Sequence, residues 1–264
     1  MNLLLALMVI AGNANAASKP QKLLIVIDPG HGGSDAGACF QANKNGHIVH
    51  EKNMTLMLAR DLARELLIKG NNVILTRNED RDFPLQDRTA LANRLKANIF
   101  ISIHMNSSSE KSQRAGGIET YILNHATDDS SKRLADLENK VLMESKANEK
   151  TKSQNVSLIM KDMILDANLE PSRELACAVQ HRLTLNTRNR GVKQALFYVL
   201  LGADMPSVLI EAGFINAKND RDRVLNTASR LRLAAQIASA IDDYKFKKIP
   251  DHCRVINEKQ AKKI

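Results

Sequence analysis

The chain has 264 residues, 44% hydrophobic and 25% charged, values that suit a sizeable globular domain and exclude a disordered or low-complexity protein. Its formal net charge of +9 fits an anionic surface such as a cell wall or membrane leaflet. No nucleic-acid partner is expected, because zinc-finger, RRM and helix-turn-helix patterns are missing and aromatic residues, at 3%, are too scarce for base stacking.

Met1 to Ala16 has no charged side chain, an apolar run from Leu3 to Ile10 and the small-residue ending Ala14-Asn-Ala16. Residues 1–16 therefore read as a secretory signal peptide with an A-x-A cleavage site, although no Lys or Arg marks the n-region. No stretch reaches the about 18 uninterrupted apolar residues of a membrane span. An exported, soluble protein without a transmembrane segment is expected.

Leu23–Asp28 is an apolar, β-branched run that stops at Pro29-Gly-His31-Gly-Gly. It reads as a buried strand ended by a tight loop, with His31 at the carboxyl edge where open α/β sheets keep their sites. A phosphate cradle is the other use of such a loop. Asn53–Lys69 carries Leu56, Ala59, Leu62, Ala63, Leu66 and Leu67 on one helical face and ends at Gly70. Strand runs follow at Asn72–Arg77 and Ile99–His104, with a short helix at Asp87–Lys96 between them. Further strands are predicted at Gly117–Leu123, Ala195–Leu201 and Ser207–Glu211. This alternation predicts an α/β fold: a single domain over 21–246, with a mostly parallel, about six-stranded twisted sheet flanked by helices.

Residues 128–170 break the pattern and read as a helical insertion. One helix is expected at Ser131–Lys146, a polar loop to Asn155, and an apolar helical pattern at Val156–Ala167. Pro171 opens another helix reaching Leu183, and Ser229–Tyr244 is the last. Residues 247–264 read as a basic, solvated tail. Cys39, Cys177 and Cys253 show no CxxC spacing, and the sequence leaves open which pair bridges in an oxidising compartment. Cys177, within an apolar helical pattern, reads as a small buried hydrophobe.

Partners for His31 lie at other element ends. His104 closes the run Phe100-Ile-Ser-Ile-His104, Glu211 closes Ser207-Val-Leu-Ile-Glu211, and Glu51 stands just before the Asn53 helix. Two histidines and one carboxylate make a catalytic zinc set that leaves a fourth position for water. A neighbouring carboxylate can move the proton that amide hydrolysis requires. Each residue also has a plain reading: a strand-end histidine in a hydrogen bond, and Glu51 at a positive helix N-terminus. Glu211 is harder to place that way, since a carboxylate ending an apolar strand is costly to bury alone. His47 and His50 are rival ligands, read as exposed loop residues. The Gly-x-Ser-x-Gly elbow, Walker A motif and dinucleotide fingerprint are all missing.

The motifs Asp28-Pro-Gly-His31-Gly-Gly, His50-Glu51-Lys-Asn53, Ser102-Ile-His104-Met-Asn106 and Leu209-Ile-Glu211-Ala-Gly-Phe-Ile resemble the four signatures of the zinc N-acetylmuramoyl-L-alanine amidases of the cell-separation type (amidase_3). The resemblance runs from about Lys22 to Tyr244. It implies that His31, Glu51 and His104 bind Zn2+ and that Glu211 is the catalytic acid/base. It also implies cleavage of the amide between the muramic acid lactyl group and L-alanine of the peptidoglycan stem peptide, in the periplasm or cell-wall space, for wall remodelling and daughter-cell separation. Relatives carry a helical segment that places a glutamate on the zinc until an activator with a LytM-like domain displaces it. Leu137-Glu138-Asn139 resembles that pattern, with Glu138 the expected autoinhibitory ligand and Glu144 and Glu149 the alternatives. Val156–Asp166 resembles the activator-docking part. The other readings are a zinc peptidase cutting within the stem and a non-enzymatic basic wall-binding protein.

Overall fold

The structure, a computed structural model, describes residues 22–41, 46–108, 116–140, 168–250 and 253. In chain order the elements are β1 (Leu24–Pro29), β2 (Cys39–Gln41), β3 (Ile48–His50), α1 (Glu51–Ile68), β4 (Asn72–Leu75), α2 (Leu85–Arg94), β5 (Ile99–Asn106), β6 (Ile118–Leu123), α3 (Asp129–Glu138), α4 (Leu169–Leu183), β7 (Asn189–Ala195), a 3-10 turn at Tyr198–Leu200, β8 (Ser207–Phe214), α5 (Lys218–Leu225) and α6 (Thr227–Lys245). Six strands form one sheet in the order β4-β1-β5-β8-β6-β7, and β2 and β3 form a separate hairpin. β1, β4, β5 and β8 are parallel, whereas β6 runs antiparallel to β8 and pairs in parallel with β7. The mostly parallel α/β sheet expected from the sequence is therefore present.

Strand alternation divides the core. Ile25 and Ile27 of β1, Ile99, Ile101, Ile103 and Met105 of β5, and Val208, Ile210 and Ala212 of β8 pack on one face against α1, α4 and α6. Val26, Phe100, Leu209 and Tyr121 face the other way, onto Ala92, Leu134, Ala135, Phe197 and Leu200. Because side chains alternate with period two, Asp28, Ser102, His104, Glu211 and Glu119 share this second face. Hydrocarbon thus fills one face, while the carboxyl edge of the other carries chemistry.

Three local expectations are corrected. The run Ala195–Leu201 is not a strand. The strand is Asn189–Ala195, at the sheet edge, where half-solvated polar residues suffice. The apolar residues after it turn inward and cap the second core, with Phe197 edge-on to Tyr121 at 5.0 Å. Cys177 is not a lone buried thiol but is bridged to Cys253, with Cα atoms 5.5 Å apart, and Cys39 is free and exposed. Helix α5 and the β2–β3 hairpin have no strong apolar period and were not expected. Residues 1–16, Val156–Asp166, Glu144 and Glu149 lie outside the described residues.

Candidate metal centre

His31 follows β1 and is held in the left-handed region, at φ 61°, where non-glycine residues are uncommon. The chain reverses there, with Gly32 and Asp35 exchanging backbone hydrogen bonds at 2.9 and 3.1 Å. Glycines are required where backbone meets imidazole. A Cβ on Gly30 would stand 2.4 Å from His104 Cε1, and one on Gly37 would stand 2.6 Å from His31 Cδ2.

Glu51 begins α1 and is 1% exposed. Its Oε2 accepts the Ala38 N–H at 2.8 Å and its Oε1 accepts the Met105 N–H at 2.9 Å, so β5 and the loop before the hairpin fix both oxygens. His31 Nε2 and His104 Nδ1 each lie 3.1 Å from Glu51 Oε1. Glu138, at the end of α3, brings its Oε2 to 3.3 Å from His31 Nε2 and 3.2 Å from His104 Nδ1. One donor atom from each of these four residues lies within 4.8 Å of all the others. Neither His47 nor His50 joins the set, and His50 Nδ1 instead lies 3.1 Å from Cys39 Sγ.

The donor types, two imidazole nitrogens and carboxylate oxygens, are those zinc prefers. Bonds of about 2.0–2.1 Å give ligand-to-ligand edges of about 3.3–3.4 Å, close to the 3.1–3.3 Å separations between the imidazole and carboxylate atoms. His31 Nε2 is buried and makes no hydrogen bond, although two carboxylate oxygens lie beside it. Its other ring nitrogen, Nδ1, pairs with Asp35 Oδ2 at 2.8 Å. A carboxylate behind a ligating imidazole fixes its tautomer and raises its basicity. The sequence reading missed Asp35. Its only signal is an acidic residue four positions after His31.

The electrostatics follow from burial and crowding. Counting only the protein's own charges, burial works against protonated His104, but Glu138 and Glu51 outweigh it and raise its pKa to about 10. His31 is raised too, by Glu51 and Glu138 against the same burial penalty. Burial would raise Glu51, yet the two histidines hold it far below the usual carboxylate range. Such mutual charge support is what a divalent cation replaces.

Glu211 is separate from this set. It pairs with His104 across β5 and β8 and with Glu119 across β8 and β6. Both of its carboxylate oxygens are buried, with no hydrogen-bond partner among the described residues. Burial raises its pKa well above the ordinary value and the carboxylates of Glu51, Glu138 and Glu119 add to this, with His104 acting the other way. Glu119 is itself compensated: Arg190 Nε at 2.7 Å, Lys193 Nζ at 3.0 Å, Tyr121 Oη at 2.9 Å and Asn106 Nδ2 at 3.0 Å surround it. An uncompensated carboxylate beside a ligand cluster is equipped to hold and release a proton.

The family model for N-acetylmuramoyl-L-alanine amidase (Amidase_3) matches residues 25–243. The chain is 34% identical over 226 residues to N-acetylmuramoyl-L-alanine amidase AmiC of Neisseria meningitidis, covering 84% of this chain and 52% of that protein. It is 29% identical over 242 residues to N-acetylmuramoyl-L-alanine amidase AmiA of Escherichia coli, covering 88% and 81%. It thus spans about half the length of the Neisseria relative and most of AmiA. The crystal structure of N-acetylmuramoyl-L-alanine amidase from Clostridium difficile 630 is similar at a TM-score of 0.63 and 28% identity, covering 86% of this chain and 98% of that one. The chain belongs to the Amidase_3 family of N-acetylmuramoyl-L-alanine amidases.

Proposed function

We propose that this protein is an exported zinc hydrolase that cleaves the amide between the muramic acid lactyl group and L-alanine of peptidoglycan, for wall remodelling and cell separation. The observation that carries the reading is the His31, Glu51, His104 and Glu138 cluster, with Glu211 opposite His104 on the same sheet face. His31, Glu51 and His104 would hold the zinc, which when bound polarises the scissile carbonyl and makes water a nucleophile near neutral pH. Glu211 takes the proton from the attacking water and delivers it to the departing L-alanine nitrogen, which leaves as a neutral amine. Asp35 holds the His31 ring in the tautomer that presents Nε2 to the ion.

Glu138 is the autoinhibitory ligand in this reading. Its carboxylate stands where a fourth donor would, so water and substrate are excluded while α3 stays in place. Activation requires that α3 be drawn away, and a LytM-like partner docking on Val156–Asp166 is the proposed agent. The Cys177–Cys253 bridge supports export to an oxidising compartment, as does the signal-like segment 1–16. A periplasmic or cell-wall location follows from the substrate. No helix among the described residues is long and apolar enough to cross a membrane.

The test is digestion of purified peptidoglycan by the Glu138→Ala protein, with and without a chelator, followed by mass spectrometry of the products. Intact stem peptides freed from the sugar, only when zinc is available, are expected. Cuts within the stem would replace this reading by a peptidase, and no metal-dependent product would leave only wall binding.

A further inference from the structure

We propose that Arg77 is a positioning residue, which with Thr55 staples the His31 loop to the first turn of α1 and so sets the spacing between His31 and Glu51. The inference rests on the reading of those two residues as zinc ligands.

Arg77 follows β4 and is wholly buried. Its hydrogen bonds go to backbone carbonyls and one hydroxyl. Nε donates to Pro29 O at 3.0 Å, and one terminal nitrogen donates to Glu79 O at 3.3 Å. The other reaches Gly30 O at 2.7 Å, Lys52 O at 2.9 Å and Thr55 Oγ1 at 3.1 Å. Pro29 and Gly30 immediately precede His31, and Lys52 immediately follows Glu51. One guanidinium therefore grips both ligand-bearing segments from the same side. The Thr55 hydroxyl completes the link, donating to Gly30 O at 2.9 Å.

A cation buried without a carboxylate in hydrogen-bond contact is costly, so its retention calls for a physical reason. Burial, with Arg88 nearby, lowers its pKa to about 10, which leaves it charged at neutral pH. Only a rigid planar fork reaches carbonyls on separate segments at once; a lysine is a point donor on a flexible stem. The loop closes down on the same side chain, since a Cβ on Gly32 would stand 2.9 Å from Arg77 Cδ and Nε. Arg88 has a different task. It binds Asp28 Oδ1 at 2.9 Å, Pro29 O at 3.0 Å and His31 O at 3.2 Å, holding the loop to itself, whereas Arg77 couples the loop to α1. Zinc ligand distances cluster within about 0.2 Å of their standard values, and His31 and Glu51 come from separate segments. A staple between the two segments would hold that spacing.

The experiment measures zinc affinity of the full chain by competition with a chromophoric chelator, for the unaltered protein, Arg77→Lys, Thr55→Val and Leu62→Ala. Leu62 is buried in α1 about three turns beyond Glu51 and serves as a control for general loss of stability. Arg77→Lys and Thr55→Val are expected to hold zinc at least tenfold more weakly, within the range of about 10–100-fold for groups that orient ligands, with Leu62→Ala within twofold of the unaltered protein. Unchanged affinity in Thr55→Val and Arg77→Lys, or an equal loss in Leu62→Ala, overturns the staple. If Arg77→Lys does not fold, Thr55→Val, which removes one hydroxyl and keeps the volume, decides alone. An unaltered protein that takes up no zinc overturns the ligand reading itself, and the staple falls with it.

Discussion

Glu211 stands directly opposite His104 across the ladder between β5 and β8, and its own two oxygens find no hydrogen bond among the described residues. In the proposed mechanism the neighbour would supply a donor to the ion and Glu211 a place for the proton. Glu211→Gln is expected to keep zinc at full stoichiometry by elemental analysis while turnover of peptidoglycan falls by about 10²–10⁴-fold, the usual contribution of a general acid/base. Turnover above a tenth of the original assigns the proton to another group.

Asn139 follows Glu138 and clasps the end of α3. Its Nδ2 donates to Leu196 O and its Oδ1 accepts the Tyr198 N–H, both at 2.8 Å. Glu138→Ala is expected to raise hydrolysis without any added partner at least tenfold, and Asn139→Ala to raise it less, because the carboxylate remains but its helix is loosened. Release of soluble stem peptide from labelled wall measures both. Equal rates in the original and Glu138→Ala proteins would refute the blocking role.

Asp35 orients the His31 ring through Nδ1. Asp35→Asn keeps the shape and loses the charge, so zinc is expected to be held about 10–100-fold more weakly. Chelator competition reads this directly, and an unchanged dissociation constant would show that the loop alone orients the ring.

Asp28 gives the fold an acid dependence. Burial would raise its pKa, but Arg88 and the hydroxyls of Thr76 and Ser102 outweigh it and hold the carboxyl below the ordinary value. A group depressed in the folded state contributes stability that is present above its unfolded pKa of about 3.9 and lost as pH falls through the folded one. The urea midpoint is therefore expected to drop below about pH 4. Asp28→Asn, less stable at pH 7, should show a shallower drop over the same window. Parallel curves would place the acid sensitivity elsewhere.

The bridge between Cys177 and Cys253 closes 76 residues of sequence. Replacing both by serine is expected to cost roughly 2–4 kcal/mol of unfolding free energy in urea, with Cys39→Ser nearly neutral. Equal midpoints for the double variant and the original would show that the bridge adds nothing to stability.

The central strands were legible because β1, β5 and β8 are buried on both faces and so read as continuous apolar runs. The edge strand β7 was not, since Asn189–Ala195 is half solvated and the stronger apolar signal just after it belongs to a cap on the core. His31, Glu51, His104 and Glu211 could be placed on one sheet edge because each stands at the end of an apolar run, just after one, or at the start of a helix. Asp35 could not, as its contact depends on the left-handed turn at His31. A helix around Glu138 was expected at Ser131–Lys146 and α3 spans Asp129–Glu138, but that Glu138 meets two histidines depends on the path of α3 through space. Only resemblance pointed to Glu138.

That path has a consequence. β6 runs against β8, so it ends at Leu123 on the edge away from His104, and the chain must climb back before Glu138 can arrive. The six residues of β6 descend about 20 Å, and the ten residues of α3 ascend about 15 Å. The length of the helix thus acts as a ruler that sets where Glu138 arrives. Inserting a single residue within it would swing Glu138 by about 100° and lift it by about 1.5 Å, so on the proposed reading it would open the site without replacing His31, Glu51 or His104.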